Sequence, residues 1–267
     1  MKTLILILIT LSLLLEGKSQ SIQLCGHRGV MYPEQAENAL SGFRWVAAQV
    51  KPDTMMVEID LRKSKEGTIY LMHDETVDRT TNSNGKISDL SDAYLNSLYL
   101  KTSGGAQTTE RIPTFKEVLS FAQRNPVKLM LDVKIDIWEE VIQHVRAANL
   151  EPRCLVLTFK VDYSKRVAAA SSSIGLSCLI TSEEEWKVIE ALQIPVRQLV
   201  AYISAKTDSS LINLLKSKKI KVMTDVSEYL RHNAKPLNVE EYANKVKQQS
   251  LDILISDFPV EAWKGVK

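Results

Sequence analysis

The chain has 267 residues, of which 45% are apolar, 25% charged and 6% aromatic; 34 basic and 32 acidic residues leave a net charge of +2. That length allows one large domain or two small ones with a sizeable core, and ten Gly with eight Pro are too few for a collagenous or low-complexity chain. Balanced charge supplies no field that calls for nucleic acid or an anionic membrane as partner.

Met1-Lys2-Thr3, an apolar run over residues 4–15 and then Glu16-Gly17-Lys18-Ser19 read as a signal peptide occupying residues 1–19, with the cut near Gln20. The run is shorter than the ~20 residues that span a bilayer. The expectation is an exported protein, periplasmic or secreted, with no stable membrane span and a single domain over residues 20–267. Three cysteines leave at least one unpaired. Cys154 and Cys178 each begin a predicted strand, where a bridge or two buried thiols fit equally. Cys25 ends a buried strand and is not expected to act as a nucleophile.

Strands are predicted at residues 22–26, 55–61, 68–73, 128–133, 155–159, 176–180, 199–203, 220–224 and 253–256. Helices are predicted at 38–50, 114–124, 137–148, 163–170, 183–192, 209–218 and 239–249. Repeated strand–helix units with nearly continuous apolar strands point to a parallel sheet covered by helices. Over this length, a single (β/α)₈ TIM barrel fits best. It is slightly irregular, because the link between the second and third strands is too short for a crossover helix. Nine candidates exceed eight strands, and 199–203 is the first choice for the accessory one. Residues 78–107 read as a loop-rich excursion near one mouth.

Barrel chemistry gathers at the carboxyl ends of strands. Gly26-His27-Arg28-Gly29, Val57-Glu58-Ile59-Asp60, Leu71-Met72-His73-Asp74 and Leu131-Asp132-Val133-Lys134 stand at four such ends. Side chains alternate along a strand, so Glu58 shares a face with Asp60, and Asp132 with Lys134. The set suits a phosphate diester. Glu58, Asp60 and Asp132 offer hard oxygen ligands for one divalent cation, Ca²⁺ or Mg²⁺. Arg28 and Lys134 offer charge-assisted phosphate contacts, and His27 and His73 an acid–base pair. The run from Thr80 lacks both defining carboxylates of an EF-hand, and the basic run 216–221 is a solvated helix end with no interleaved aromatics to read nucleic acid.

These residues resemble the glycerophosphodiester phosphodiesterase family, a TIM-barrel group similar to phosphatidylinositol phospholipases C. His27-Arg28-Gly29 resembles its H-R-G, Ala36-Glu37-Asn38-Ala39 its P-E-N-T, and Glu58-Ile59-Asp60-Leu61 its E-x-D-V. Residues 72–81, Met-His-Asp-Glu-Thr-Val-Asp-Arg-Thr-Thr, resemble its most specific block. Ile112-Pro113-Thr114-Phe115 and Ser256-Asp257-Phe258-Pro259 match two further blocks. The resemblance implies that His27 and His73 are catalytic, that Glu58, Asp60 and Asp132 hold the metal, that Arg28 and Lys134 touch phosphate, and that Glu37 lies in or behind the pocket.

Asp132 departs from the family's usual Glu, Ala39 from its Thr, and Val222-Met223-Thr224-Asp225 from V-W-T-V-N. Spider-type sphingomyelinases D, which look like distant relatives, share the Asp. The implied activity is metal-dependent hydrolysis of glycerophosphodiesters to glycerol 3-phosphate and an alcohol. The alternatives are lysophospholipase D or sphingomyelinase D-like chemistry on a lysolipid, which needs an apolar slot near Met31-Tyr32 and the excursion, and an inactive binding relative.

Overall fold

The structure, a computed structural model, describes residues 22–50 and 55–267. The predicted signal peptide and its cut site lie outside the described residues. Apolar runs punctuated by polar turns fold as nine strands among the described residues: β1 (Gln23–Gly26), β2 (Met55–Lys63), β3 (Ile69–Leu71), β4 (Lys128–Val133), β5 (Cys154–Thr158), β6 (Gly175–Leu179), β7 (Leu199–Tyr202), β8 (Lys221–Asp225) and β9 (Ile253–Ser256). All but β3 pair in parallel. β1 pairs with β2 and β9, β2 with β4, and β4 to β9 each with the next, closing an eight-stranded barrel.

Strand alternation sorts the apolar side chains into two cores. Leu24, Val57, Ile59, Leu131, Val156, Val222 and Leu254 belong to the core that includes the surrounding helices. Cys25, Met56, Met130, Leu155, Leu157, Met223 and Ile255 pack with one another inside the barrel. Glu58 and Asp60 follow the phase of Met56, and Asp132 and Lys134 that of Met130, so the chemistry stands directly above the barrel floor.

The major covering helices are α1 (Leu40–Gln49), α3 (Phe115–Arg124), α4 (Trp138–Ala147), α5 (Val161–Ala170), α6 (Glu183–Glu190), α7 (Ser209–Ser217), α9 (Val239–Gln248) and α10 (Pro259–Val266). Short helices α2 (Asp92–Leu95) and α8 (Glu228–Arg231) lie in loops. Local chemistry sets several starts: Thr114 with Glu117, and Asn238 with Glu241, form reciprocal capping boxes at α3 and α9.

The accessory strand is β3, not the predicted 199–203, which forms β7 between β6 and β8. β2 is nine residues long and overhangs the barrel rim. Gly67, at φ +90, turns the chain back, and β3 lies antiparallel on the overhang, with Leu61 opposite Leu71 and Lys63 opposite Ile69. His73 therefore leaves an accessory strand rather than a barrel strand. It still reaches the mouth, because Met72 N–H donates to the Asp60 carbonyl and Arg62 Nε donates to the His73 carbonyl, both at 3.0 Å.

The excursion carries only short helices, at Ile87–Asp89 and, within the stretch 90–98, at Asp92–Leu95, yet it packs a core together with its flanks. Tyr70, Met72, Val77, Ile87, Leu95, Leu98, Leu100 and Ile112 make a small core of their own against Ala36 and Ala39. Cys25, Cys154 and Cys178 are buried free thiols. Among the described residues, no helix is long and apolar enough to cross a membrane.

Candidate active site

β1 ends in a turn too tight for a side chain: a Cβ on Gly26 would meet the Gly29 carbonyl oxygen at 1.9 Å. Arg28 sits in this turn at φ +50, a conformation seldom adopted outside glycine. Its backbone N–H donates to Glu58 Oε2 at 2.6 Å. Its guanidinium donates to both Glu37 oxygens at 3.3 Å and lies 4.0 Å from Asp60. His27 Nδ1 faces Asp257 Oδ1 at 2.6 Å. Barrel closure makes that pair, since Gly26 and Ser256 are register partners on β1 and β9.

β2 and β4 place Asp60 opposite Asp132. With Glu58, these carboxylates offer oxygens within 4.8 Å of one another. Lys134 Nζ lies 2.5 Å from Asp132 Oδ2 and 2.9 Å from Asp60 Oδ1. Asn38 fixes Asp60 from the other side: its Nδ2 donates to Asp60 Oδ2 at 2.8 Å and its Oδ1 accepts the Asp60 N–H at 3.2 Å. Burial and the Asp60 charge push Glu58 up to about 8, and burial raises Asp132 too. Burial acts on Asp60 in the same sense, but Lys134, His73 and Arg28 outweigh it and hold that group below its usual range. A raised Glu58 and the nearby ammonium thus balance a cluster that has too much negative charge for its burial. Asp60 Oδ1 is buried and accepts no hydrogen bond in good geometry. Three converging hard oxygen donors, whose charge Lys134 partly balances, fit a divalent cation of the Ca²⁺ or Mg²⁺ type.

His73 has a different partner. Its Nδ1 meets Asp74 Oδ1 at 2.7 Å. Arg79 in turn grips Asp74 through Nε at 2.7 Å and Glu37 through two nitrogens at 2.6 and 2.8 Å. Glu37 is thereby shared between Arg28 and Arg79, and all three line the pocket. Burial opposes charge on both imidazoles. At His27 the Asp257 hydrogen bond and the field of Glu58 overcome it and lift the group to about 9. At His73 burial prevails, with Arg28 and Lys134 adding to it, and the group is lowered. A pocket of about 440 Å³ opens beside His27 and Arg28, walled by Met31, Tyr229 and Leu230 and roofed by residues 101–105 of the excursion.

Residues 27–260 match the Glycerophosphoryl diester phosphodiesterase family. The chain belongs to that family. Among curated relatives of this glycerophosphodiester phosphodiesterase-family chain is the mouse glycerophosphodiester phosphodiesterase 1, 34% identical over 111 residues, which are 40% of this chain and 32% of that protein. A glycerophosphodiester phosphodiesterase of Caldanaerobacter subterraneus is 30% identical over 137 residues, 49% of this chain and 55% of that one. The chain thus spans about a third and just over half of these two relatives. A glycerophosphoryl diester phosphodiesterase structure from Parabacteroides distasonis superposes with a TM-score of 0.83 at 25% identity, covering 93% of this chain and 87% of that one. An Oleispira antarctica phosphodiesterase, solved with the product sn-glycerol-3-phosphate, shares the fold at a TM-score of 0.70 and 21% identity, covering 92% and 97%.

All eight residues singled out from the sequence of this family member gather at one mouth. Four others belong with them: Asn38, Asp74, Arg79 and Asp257. Each stands inside a quoted motif block, which was the available signal, but its role depends on which partner the barrel brings opposite. Glu228 and Tyr229, which hold Asp257, lie in a segment with no motif at all.

Proposed function

We propose that this protein is an exported, metal-dependent phosphoric diester hydrolase that cleaves glycerophosphodiesters to glycerol 3-phosphate and an alcohol. One observation carries the reading: a cluster of three carboxylates lies between two histidines whose ring nitrogens are engaged by different acids. His27, backed by the buried Asp257, holds the proton that goes to the leaving alcohol oxygen as the P–O bond breaks. His73 stays neutral, because its burial, with the Arg28 and Lys134 charges adding to it, outweighs Asp60 and Asp74, and takes the proton of the attacking hydroxyl. Glu58, Asp60 and Asp132 would hold the divalent cation, which when bound neutralises nonbridging phosphate oxygens and polarises phosphorus. Arg28 and Lys134 add charge-assisted contacts to the same phosphate.

The names of the curated relatives support this substrate class, and so does the product held by a protein of the same fold. The test is direct. Purified protein with glycerophosphocholine and Ca²⁺ or Mg²⁺ releases glycerol 3-phosphate, and a chelator stops it. No product with either metal overturns the reading.

The apolar wall of Met31, Tyr229 and Leu230 beside His27 favours a second reading, in which a lysolipid is the substrate. A volume of about 440 Å³ falls in the range of pockets that enclose drug-sized ligands. Turnover of lysophosphatidylcholine in the same assay supports it; turnover of glycerophosphocholine alone removes it.

A further inference from the structure

Asp257 is fixed on every side but one. Its backbone N–H donates to Glu228 Oε2 at 2.9 Å, and its carbonyl accepts from Met31 N–H at 3.1 Å. Its Oδ2 accepts from Tyr229 N–H at 2.8 Å, which leaves Oδ1 for His27. Glu228 also accepts from Ser256 Oγ at 2.5 Å and from Tyr242 OH at 2.7 Å through its other oxygen. Its side chain is fully buried, yet it touches neither the metal-ligand cluster nor the pocket. A buried carboxylate is costly unless its lone pairs are used, and here each donor it accepts from belongs to β9, to the residue after it or to α9. The chain reaches Glu228 through Ser227 at φ +53, a left-handed conformation that is strained for a non-glycine residue. So a buried carboxyl group and a strained turn both fall on one short segment, and the Glu228 side chain has no contact of its own to a reacting group.

We propose that Glu228 is a positioning residue: with Tyr229 N–H it forms a clamp that locks Asp257 so that Oδ1 meets His27 Nδ1 in a single orientation. The inference rests on the acid role proposed for His27 and extends it one shell outward. Glu228 fixes the Asp257 backbone through its side chain, while the next residue's N–H holds Oδ2 and so sets the carboxylate that orients the ring; the Glu228 side chain itself makes no contact with the pocket or the carboxylate cluster.

The test compares three variants in the metal-loaded protein. Glu228→Ala removes the clamp. Glu228→Gln keeps the shape and one acceptor oxygen, so it folds and carries the test if the alanine variant does not. Tyr242→Phe removes one bond to the same carboxylate without touching Asp257. General acid–base groups contribute about 10²–10⁴-fold, and losing the positioning of one is expected to lower kcat about 10–100-fold in Glu228→Ala and about 3–10-fold in Glu228→Gln. KM for glycerophosphocholine stays within about twofold in both, since the Glu228 side chain itself does not line the pocket. Tyr242→Phe keeps kcat within about twofold, whatever it does to stability.

A second readout is the downfield imidazole Nδ1–H proton of His27 in NMR spectra, assigned by its loss in His27→Gln. It shifts or broadens in both Glu228 variants and stays in place in Tyr242→Phe. An unmoved resonance with unchanged kcat in the Glu228 variants overturns the clamp. So does a Tyr242→Phe variant that reproduces their kcat loss, because the carboxylate would then be serving stability alone. A His27→Ala protein with near-normal activity would instead remove the acid role itself, and with it the function of the clamp; the two failures are distinguishable.

Discussion

Two histidines of the same kind are given opposite character by their neighbours. Asp257 is buried and spends one oxygen on His27, whereas Asp74 is partly exposed and is gripped by Arg79 through both of its oxygens. Replacing either histidine with alanine is expected to lower kcat by about 100-fold or more while the protein stays folded; circular dichroism with initial rates checks this, and near-normal turnover would strike that residue from the mechanism. Asn38 offers a different handle. Its side chain holds the Asp60 carboxylate and its φ of +55 suits glycine. Asn38→Gly therefore removes the support without straining the turn. The metal concentration for half-maximal activity should rise about 10–100-fold, the usual effect of losing a partner of a metal ligand, with kcat at saturating metal little changed. The convergence of the candidate site residues was legible in the sequence because period-two alternation fixes which residues share a strand face. Their supports were not, since Asp257 is 230 residues from His27, and only closure of the barrel puts them together.

Alternation and turn chemistry made most strands and major helices readable to within a few residues, and β4 and β9 coincide with their predicted bounds. The choice of accessory strand failed for a reason that local pattern does not carry. β3 and β7 are both short and mostly apolar, and what separates them is where the partner strand ends: β2 runs past the rim and offers an edge, while β7 fills a gap between β6 and β8. α10 went unpredicted although Pro259 stands at its first turn, a favoured place for proline. Caps, by contrast, are wholly local. Thr114 accepts from Glu117 N–H while the Glu117 carboxylate takes the Thr114 N–H at 2.8 Å. Thr114→Ala should cost about 1 kcal/mol, which for a chain of this size lowers Tm by roughly 2–4 °C. Calorimetry against activity at 25 °C is the check: α3 packs outside the barrel, so turnover should not change, and a large activity loss would mean that the cap also holds β3, which neighbours it.

The near-zero net charge of the chain conceals a barrel mouth where acid and base are concentrated, and that concentration couples folding to pH and to metal. In the metal-free protein, Glu58 is raised to about 8 by burial and the Asp60 charge, and His27 to about 9 against its burial, chiefly by Asp257. Unfolded, these groups lose their protons near 4.3 and 6.5. Between pH 7 and 9 the folded protein thus binds more protons than the unfolded chain, so stability falls as pH rises. The part due to Glu58 is lost through about 8 and the part due to His27 through about 9. His73, lowered in the fold, opposes the trend only weakly near pH 7, where the unfolded imidazole is still partly protonated. A bound divalent cation reverses the logic at Glu58, since it favours the ionised carboxylate, and it stabilises the folded state in proportion to the logarithm of its concentration over Kd. Urea midpoints measured in EDTA should decline from pH 7 to 9. With saturating Ca²⁺ or Mg²⁺ they should lie higher throughout, and by the widest margin at pH 9, where no proton competes for Glu58. Glu58→Gln removes the ionisable ligand, so its midpoint should fall less with pH in EDTA and gain less from metal. Parallel pH curves with and without metal would show that the carboxylate cluster is not where the cation binds.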